Sequence, residues 1–184
     1  YEFHAAKNQM VGRFPSQLLQ LSNLRKLLLN DNTLTGTIPT EIAGMSALRE
    51  LGIWDNLMHG SFPTELGQLT DLMKLEAQNN FFSGLIPTEF GNLSKLEYID
   101  LSKQISDNKL TGPLFDFATN PRLFSINLSE NSFGGTIPAD FLSAASETAL
   151  LTVDLSDNQL SGSIPIELES FAQLDIRLQG NMID

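Results

Sequence analysis

The chain has 184 residues (20.3 kDa), with 11 Lys and Arg against 22 Asp and Glu, a formal charge of −11 and 41% hydrophobic residues. That is globular composition, and its acidity speaks against nucleic acid and anionic membrane surfaces, which call for clustered Lys and Arg. No apolar run reaches the roughly 18 residues of a membrane helix, and the lack of cysteine excludes disulfides, thiolate chemistry and cysteine-ligated zinc in this stretch.

One frame recurs from end to end. Asn8, Asn32, Asn56, Asn80, Asn108, Asn131, Asn158 and Asn181 follow one another at intervals of 24, 24, 24, 28, 23, 27 and 23 residues. In the first copy Phe3, Ala5, Asn8, Met10 and Gly12 fit, while the opening leucine would precede Tyr1. The second reads Leu24, Leu27, Leu29, Asn32, Leu34, Gly36, Ile38, Pro39, and the third Leu48, Leu51, Ile53, Asn56, Met58, Gly60, Phe62, Pro63. The fourth reads Leu72, Leu75, Ala77, Asn80, Phe82, Gly84, Ile86, Pro87.

Each position has a physical task. Apolar residues two apart, such as Leu27 and Leu29, share one face of a short strand. The asparagine amide satisfies buried backbone groups where the chain turns inward, so stacked copies predict an asparagine ladder. Glycine permits the tight bend and proline ends strand pairing. The segments holding Ile42, Leu66 and Phe90 then predict a helical or 3₁₀ turn on the opposite side. No single turn closes a core, so stability comes from stacking. Eight strands about 4.8 Å apart make a parallel sheet roughly 34 Å wide.

Further along, the frame is disturbed. Lys103-Gln104-Ile105-Ser106 adds four residues, expected to bulge at the rim of the sheet. The early proline of Gly112-Pro113-Leu114 puts that turn's lateral strand in doubt. Residues 139–149 lengthen the next turn with helix formers and predict a longer convex helix. The last strand comes one residue early, so Leu174 is expected to pack less regularly. The first and last copies are incomplete and show no polar cap, so the expectation is one solenoid of about eight repeats over residues 1–184, excerpted from a longer protein.

The frame resembles the plant-type leucine-rich repeat, L-x-x-L-x-L-x-x-N-x-L-x-G-x-I-P, also through Gly12-Arg13-Phe14-Pro15, Gly135-Thr136-Ile137-Pro138 and Gly162-Ser163-Ile164-Pro165. The resemblance implies a right-handed α/β solenoid, with a parallel sheet on the concave face and short 3₁₀ or α segments on the convex one. It implies an extracellular or cell-surface recognition module of a receptor-like kinase or receptor-like protein, or a secreted inhibitor like those of polygalacturonases. A third implied class, ice binding, needs regular ranks of small polar residues, and Arg13, His59 and Leu85 interrupt the rank here.

Chemistry is sparse. His4 and His59 lie in different repeats, no G-x-S-x-G is present, and Asp100, Asp107, Asp154 and Asp157 occupy ordinary repeat positions. No catalysis, metal or cofactor is expected, and any kinase would lie outside this chain. The informative surface is the outward side of the inner strands. There Leu28, Asn30, Trp54, Glu76, Gln78, Tyr98 and Asp100, with Leu57 and Phe81 at the rim, form the candidate site for a protein or peptide of roughly ten extended residues. Asn92-Leu93-Ser94 and Asn127-Leu128-Ser129 are candidate N-glycosylation sequons, the first convex and the second on the inner sheet.

Overall fold

The computed structural model describes residues 1–103, 108–145 and 151–184. Two parallel eight-stranded sheets run side by side through it, each ordered as the chain is ordered. The inner sheet comprises Glu2–His4, Lys26–Leu28, Glu50–Gly52, Lys74–Glu76, Tyr98–Asp100, Ser125–Asn127, Leu151–Asp154 and Leu174–Arg177. The lateral sheet comprises Val11–Arg13, Thr33–Gly36, Leu57–Gly60, Phe81–Gly84, Lys109–Gly112, Ser132–Gly135, Gln159–Gly162 and Met182–Ile183. Register is kept from turn to turn: Lys26 faces Glu50, Glu50 faces Lys74 and Lys74 faces Tyr98.

The period-two pattern explains the inner strands. Leu27, Leu29, Leu51, Ile53, Leu75 and Ala77 are fully buried, and the residues between them face outward. Behind them the core runs the length of the solenoid, with Phe62, Phe82 and Phe90 stacked at centroid distances of 4.6 and 5.9 Å.

The asparagine ladder forms as the spacing predicts. The Asn80 amide donates to Ile53, Ala77 and Gln78 carbonyls at 3.0, 3.3 and 3.3 Å, while its Oδ1 accepts from the Met58 N–H at 3.0 Å. The residue before each of these asparagines turns through positive φ: Asp31 (55°), Asp55 (50°), Asn79 (55°) and Asp157 (54°). Asp and Asn tolerate this region best, and Lys7 and Glu130 occupy the same position without that advantage. The ladder also survives the four-residue insertion. Asn108 still reaches the Leu101 and Ser102 carbonyls, both at 3.2 Å, across six or seven residues rather than two or three. Of the predicted bulge, residues 103–106, all but Lys103 lie outside the described residues.

One expectation narrows to one of its two alternatives, and two change. The convex segments Ser16–Gln20, Thr40–Gly44, Thr64–Gln68, Thr88–Asn92 and Ile166–Ser170 are all 3₁₀, with no α-helix among the described residues. Each ends within five residues on an i+3 bond such as Met45 N–H to the Ile42 carbonyl at 3.0 Å, too short for an α-helix to propagate. The longer convex helix is absent where it can be seen: residues 139–144 are successive turns and 145 a bend, and residues 146–149 lie outside the described residues. The doubted lateral strand, Lys109–Gly112, does form and pairs on both sides, because Pro113 falls after the last ladder bond.

That early proline shows its effect on the convex side instead. No 3₁₀ segment follows it, and Leu114, Phe117 and Leu123 fill the core in an irregular path. Asn120 closes the gap, donating to the Phe90 and Leu93 carbonyls at 3.0 and 3.1 Å. At the far end Leu174 is half-buried against the core and pairs with Leu151.

Candidate ligand-binding face

Three outward positions per turn build the inner face: the first and third strand residues and the second residue after the strand. In the later turns these side chains bond to one another. Asp100 Oδ1 accepts from the Ser102 N–H at 3.0 Å and the Ser102 hydroxyl at 2.7 Å. Asn127 Oδ1 holds Ser129 in the same way at 3.1 and 2.8 Å, and Asp154 holds Ser156 at 3.0 and 2.6 Å. Asp100 also accepts from the Tyr98 hydroxyl and the Asn127 amide, both at 3.5 Å. Ser102, Ser129 and Ser156 are buried, so this half of the face is flat and its small polar groups have partners.

Burial raises the Asp100 carboxyl above the usual range, against the hydrogen bonds from Ser102, Asn127 and Tyr98 that pull it down. The Tyr98 hydroxyl is pushed up to about 12, first by burial and then by the charges of Asp100 and Glu76.

The earlier turns are built differently. Lys26 bridges to Glu50 at 2.6 Å, a bond that raises its pKa, and Lys74 bridges to Glu76 at 2.9 Å while lying 5.0 Å from the centre of the Tyr98 ring. Gly52 carries no side chain between them, and Leu28 folds into the space: a Cβ on Gly52 would meet Leu28 Cδ2 at 2.8 Å. Trp54 and Leu28 are half-buried, as are Glu76, Gln78 and Tyr98. Leu57 and Phe81, at the start of their lateral strands, are 44% and 40% exposed.

The structure thus brings seven of the nine predicted residues to the surface. Asn30 and Asp100 instead lie beneath it at 5% exposure, with Asn30 donating to Asp31 at 2.7 Å. Gln78 sits between Trp54 and Ser102 in its rank, and its Oε1 is buried with no hydrogen-bond partner among the described residues. The sequon residues separate as well. Asn92 is exposed at the end of a convex 3₁₀ segment, whereas Asn127 is half-buried and holds Ser129 of its own sequon. Among the described residues no group of three or more His, Asp or Glu side chains is placed to hold a metal.

Sequence reasoning passed over one further rank, the residue just ahead of each inner strand. Arg25, Arg49, Met73, Glu97 and Phe124 stack here through successive N–H to carbonyl bonds of 2.8, 2.8, 2.8 and 3.0 Å. Their repeat spacing was the available signal.

A Leucine Rich Repeat profile matches residues 23–45, 71–93, 122–144 and 149–171, half of the chain. The chain belongs to the leucine-rich repeat family. Among curated proteins none matches it significantly. Solved structures do resemble this leucine-rich repeat solenoid. The ectodomain of the Arabidopsis receptor kinase HAESA, in complex with an N-terminally extended IDA peptide hormone, is 30% identical with a TM-score of 0.81 over 97% of this chain and 33% of that one. The ectodomain of the plant membrane receptor kinase GASSHO1/SCHENGEN3 from Arabidopsis thaliana, in complex with CASPARIAN STRIP INTEGRITY FACTOR 2, is 27% identical with a TM-score of 0.80 over 96% of this chain and 23% of that one. This chain therefore spans 23% to 33% of those ectodomains. A plant ice-binding protein shares the fold at 23% identity and a TM-score of 0.73, over 99% of this chain and 64% of that one.

Proposed function

We propose that this solenoid is a peptide- or protein-recognition module of an extracellular, cell-surface receptor-like protein, and that its ligand lies across the inner sheet around Trp54 and Leu28. One observation carries the reading. The later turns bond their outward groups to one another, whereas the earlier turns present a half-exposed Trp54 and Leu28 beside exposed Leu57 and Phe81, framed by ion pairs. An aromatic anchor amid apolar contacts with a charged border is the usual make-up of a binding hot spot. The similarity to ectodomains solved with peptide hormones supports the same reading.

Trp54 is the single tryptophan of the chain, so its emission reports on this face alone. Peptides selected from a random decapeptide library against the folded protein should shift or quench that emission in proportion to occupancy. Selected peptides that bind tightly yet leave Trp54 emission untouched would place recognition elsewhere.

A further inference from the structure

The chain is acidic, but its charge is unevenly spread. The strip along the leading rim of the inner sheet carries Arg25, Lys26, Arg49, Lys74, Lys95 and Arg122 against Glu2, Glu50, Asp71 and Glu97, in a molecule of net charge −11. Half of these cations are committed: Lys26 to Glu50, Lys74 to Glu76 and Lys95 to Asp71. Arg25 and Arg49 are exposed and form no ion pair among the described residues. Their backbones are joined by the Arg49 N–H to Arg25 carbonyl bond of 2.8 Å, so two guanidinium groups rise from adjacent turns of one rank.

Stacked like charges are unfavourable, and Asp71, a carboxylate that feels both arginines, is bonded to Lys95 rather than to them. A carboxylate suits two neighbouring guanidinium forks, which bind it through paired N–H donors. Immediately beyond Arg49 the rim opens into a cleft of about 430 Å³ lined by Arg49, Glu50, Met73, Lys74, Glu97, Tyr98 and Phe124. Phe124 is 47% exposed there, so the cleft offers an apolar wall next to the cations. From the arginine pair to the middle of the cleft is about two turns, roughly 10 Å, which an extended peptide covers in about three residues.

We propose that this rim binds a peptide segment with an acidic residue followed about three positions later by a large apolar one. The carboxylate lies on Arg25 and Arg49, and the apolar side chain lies in the cleft against Met73, Tyr98 and Phe124. Glu50 and Glu97 within the cleft repel a uniformly anionic polymer, so a patterned peptide fits better than a polyanionic polysaccharide. The inference rests on the recognition reading above and adds to it a class of partner sequence.

The test uses three synthetic decapeptide pools, random except for a fixed Glu-x-x-Phe, Gln-x-x-Phe or Lys-x-x-Phe, titrated by fluorescence anisotropy against the intact chain. The Glu pool should bind about tenfold more tightly than the Gln pool, with the Lys pool weakest. In the double variant Arg25→Gln/Arg49→Gln the preference for Glu over Gln should disappear while the circular dichroism spectrum stays unchanged. Arg25→Lys/Arg49→Lys should restore part of it. Equal binding of the Glu and Gln pools, a preference that survives the double variant, or no measurable binding of the Glu pool would overturn the proposal. Polygalacturonate binding that depends on the same arginines and is not displaced by the Glu pool would also overturn it, in favour of a polysaccharide. Trp54 emission separates the two readings: a normal response to selected peptides without Glu preference removes only the rim site, and Glu preference without any Trp54 response removes only the inner-face site.

Discussion

The two halves of the inner face share a scaffold and differ in what they leave available. Beneath both, the same ladder is made: Asn80 in the earlier half and Asn158 in the later half each donate to three carbonyls and accept one N–H. Above it, Asp100, Asn127 and Asp154 each bond the serine two residues on, which leaves little for a ligand. Lys26, Leu28, Gly52 and Trp54 form no such repeat. The interior is repetitive because every turn must satisfy the same backbone groups, and only the outward positions are free to vary. A stack of turns can therefore hold a specific surface without altering its core.

If the interior is common to both halves, damage to it should cost alike in each. Asn80→Ala orphans the buried Met58 N–H, and Asn158→Ala the buried Phe133 N–H, while the carbonyls that each amide reached keep a second donor, such as Asn56 on the Ile53 carbonyl and Asn181 on the Leu155 carbonyl. Each should lower stability by about 1–3 kcal/mol in chemical denaturation. A large difference between them would mean that the halves do not share one cooperative core.

Asp100 sharpens the contrast at the boundary between the halves. Its carboxyl is raised mainly by burial, so the folded chain holds this proton more tightly than the unfolded one. The burial penalty is present at neutral pH and fades as pH falls through the raised folded value towards the ordinary carboxylate range near about 4. Asp100→Asn reproduces the geometry of Asn127, which already holds its serine through Oδ1. The variant should be as stable as the parent or more so at pH 7, and the comparison of denaturation midpoints at pH 7 and pH 4.5 should show a smaller gain on acidification. A substantial loss of stability at pH 7 would show that the charge on Asp100 is needed.

The smallest effect is expected at Gly52. A methyl group there is crowded by the end of the Leu28 side chain alone, with Asn30 Oδ1 and Glu76 Oε2 in ordinary contact at 3.7 Å, so Gly52→Ala should cost less than about 1 kcal/mol while it displaces Leu28 and weakens peptide binding. Stability lost without any change in binding would mean that the Leu28–Gly52 contact is packing alone.

Much of this was legible from the chain. Leu27, Leu29 and Asn32 announce strand and ladder because one period repeats them, and local spacing governs both features. The 3₁₀ form of the convex segments was less legible, since five residues after a proline satisfy either helix type until the hydrogen bonds are seen. Asn120 was illegible, because its place in the core follows from the path that Pro113 imposes on residues between two turns. In the candidate site, Trp54, Leu28, Leu57 and Phe81 were found as departures from the frame. Asn30 and Asp100 were read as outward because strand alternation gives direction, yet depth depends on the neighbours that cover them. Arg25 and Arg49 were less legible because they precede the strands Lys26–Leu28 and Glu50–Gly52, where alternation no longer marks a face.

The most direct measurement compares peptide binding to the parent, Trp54→Ala and Ser156→Ala, which alter the same repeat position in the two halves. A peptide selected against the parent should bind Trp54→Ala at least about tenfold more weakly, with circular dichroism intact, and should bind Ser156→Ala as well as the parent. Equal losses in both variants, or a Trp54→Ala protein that binds normally, would contradict the assignment of recognition to the earlier half of the face.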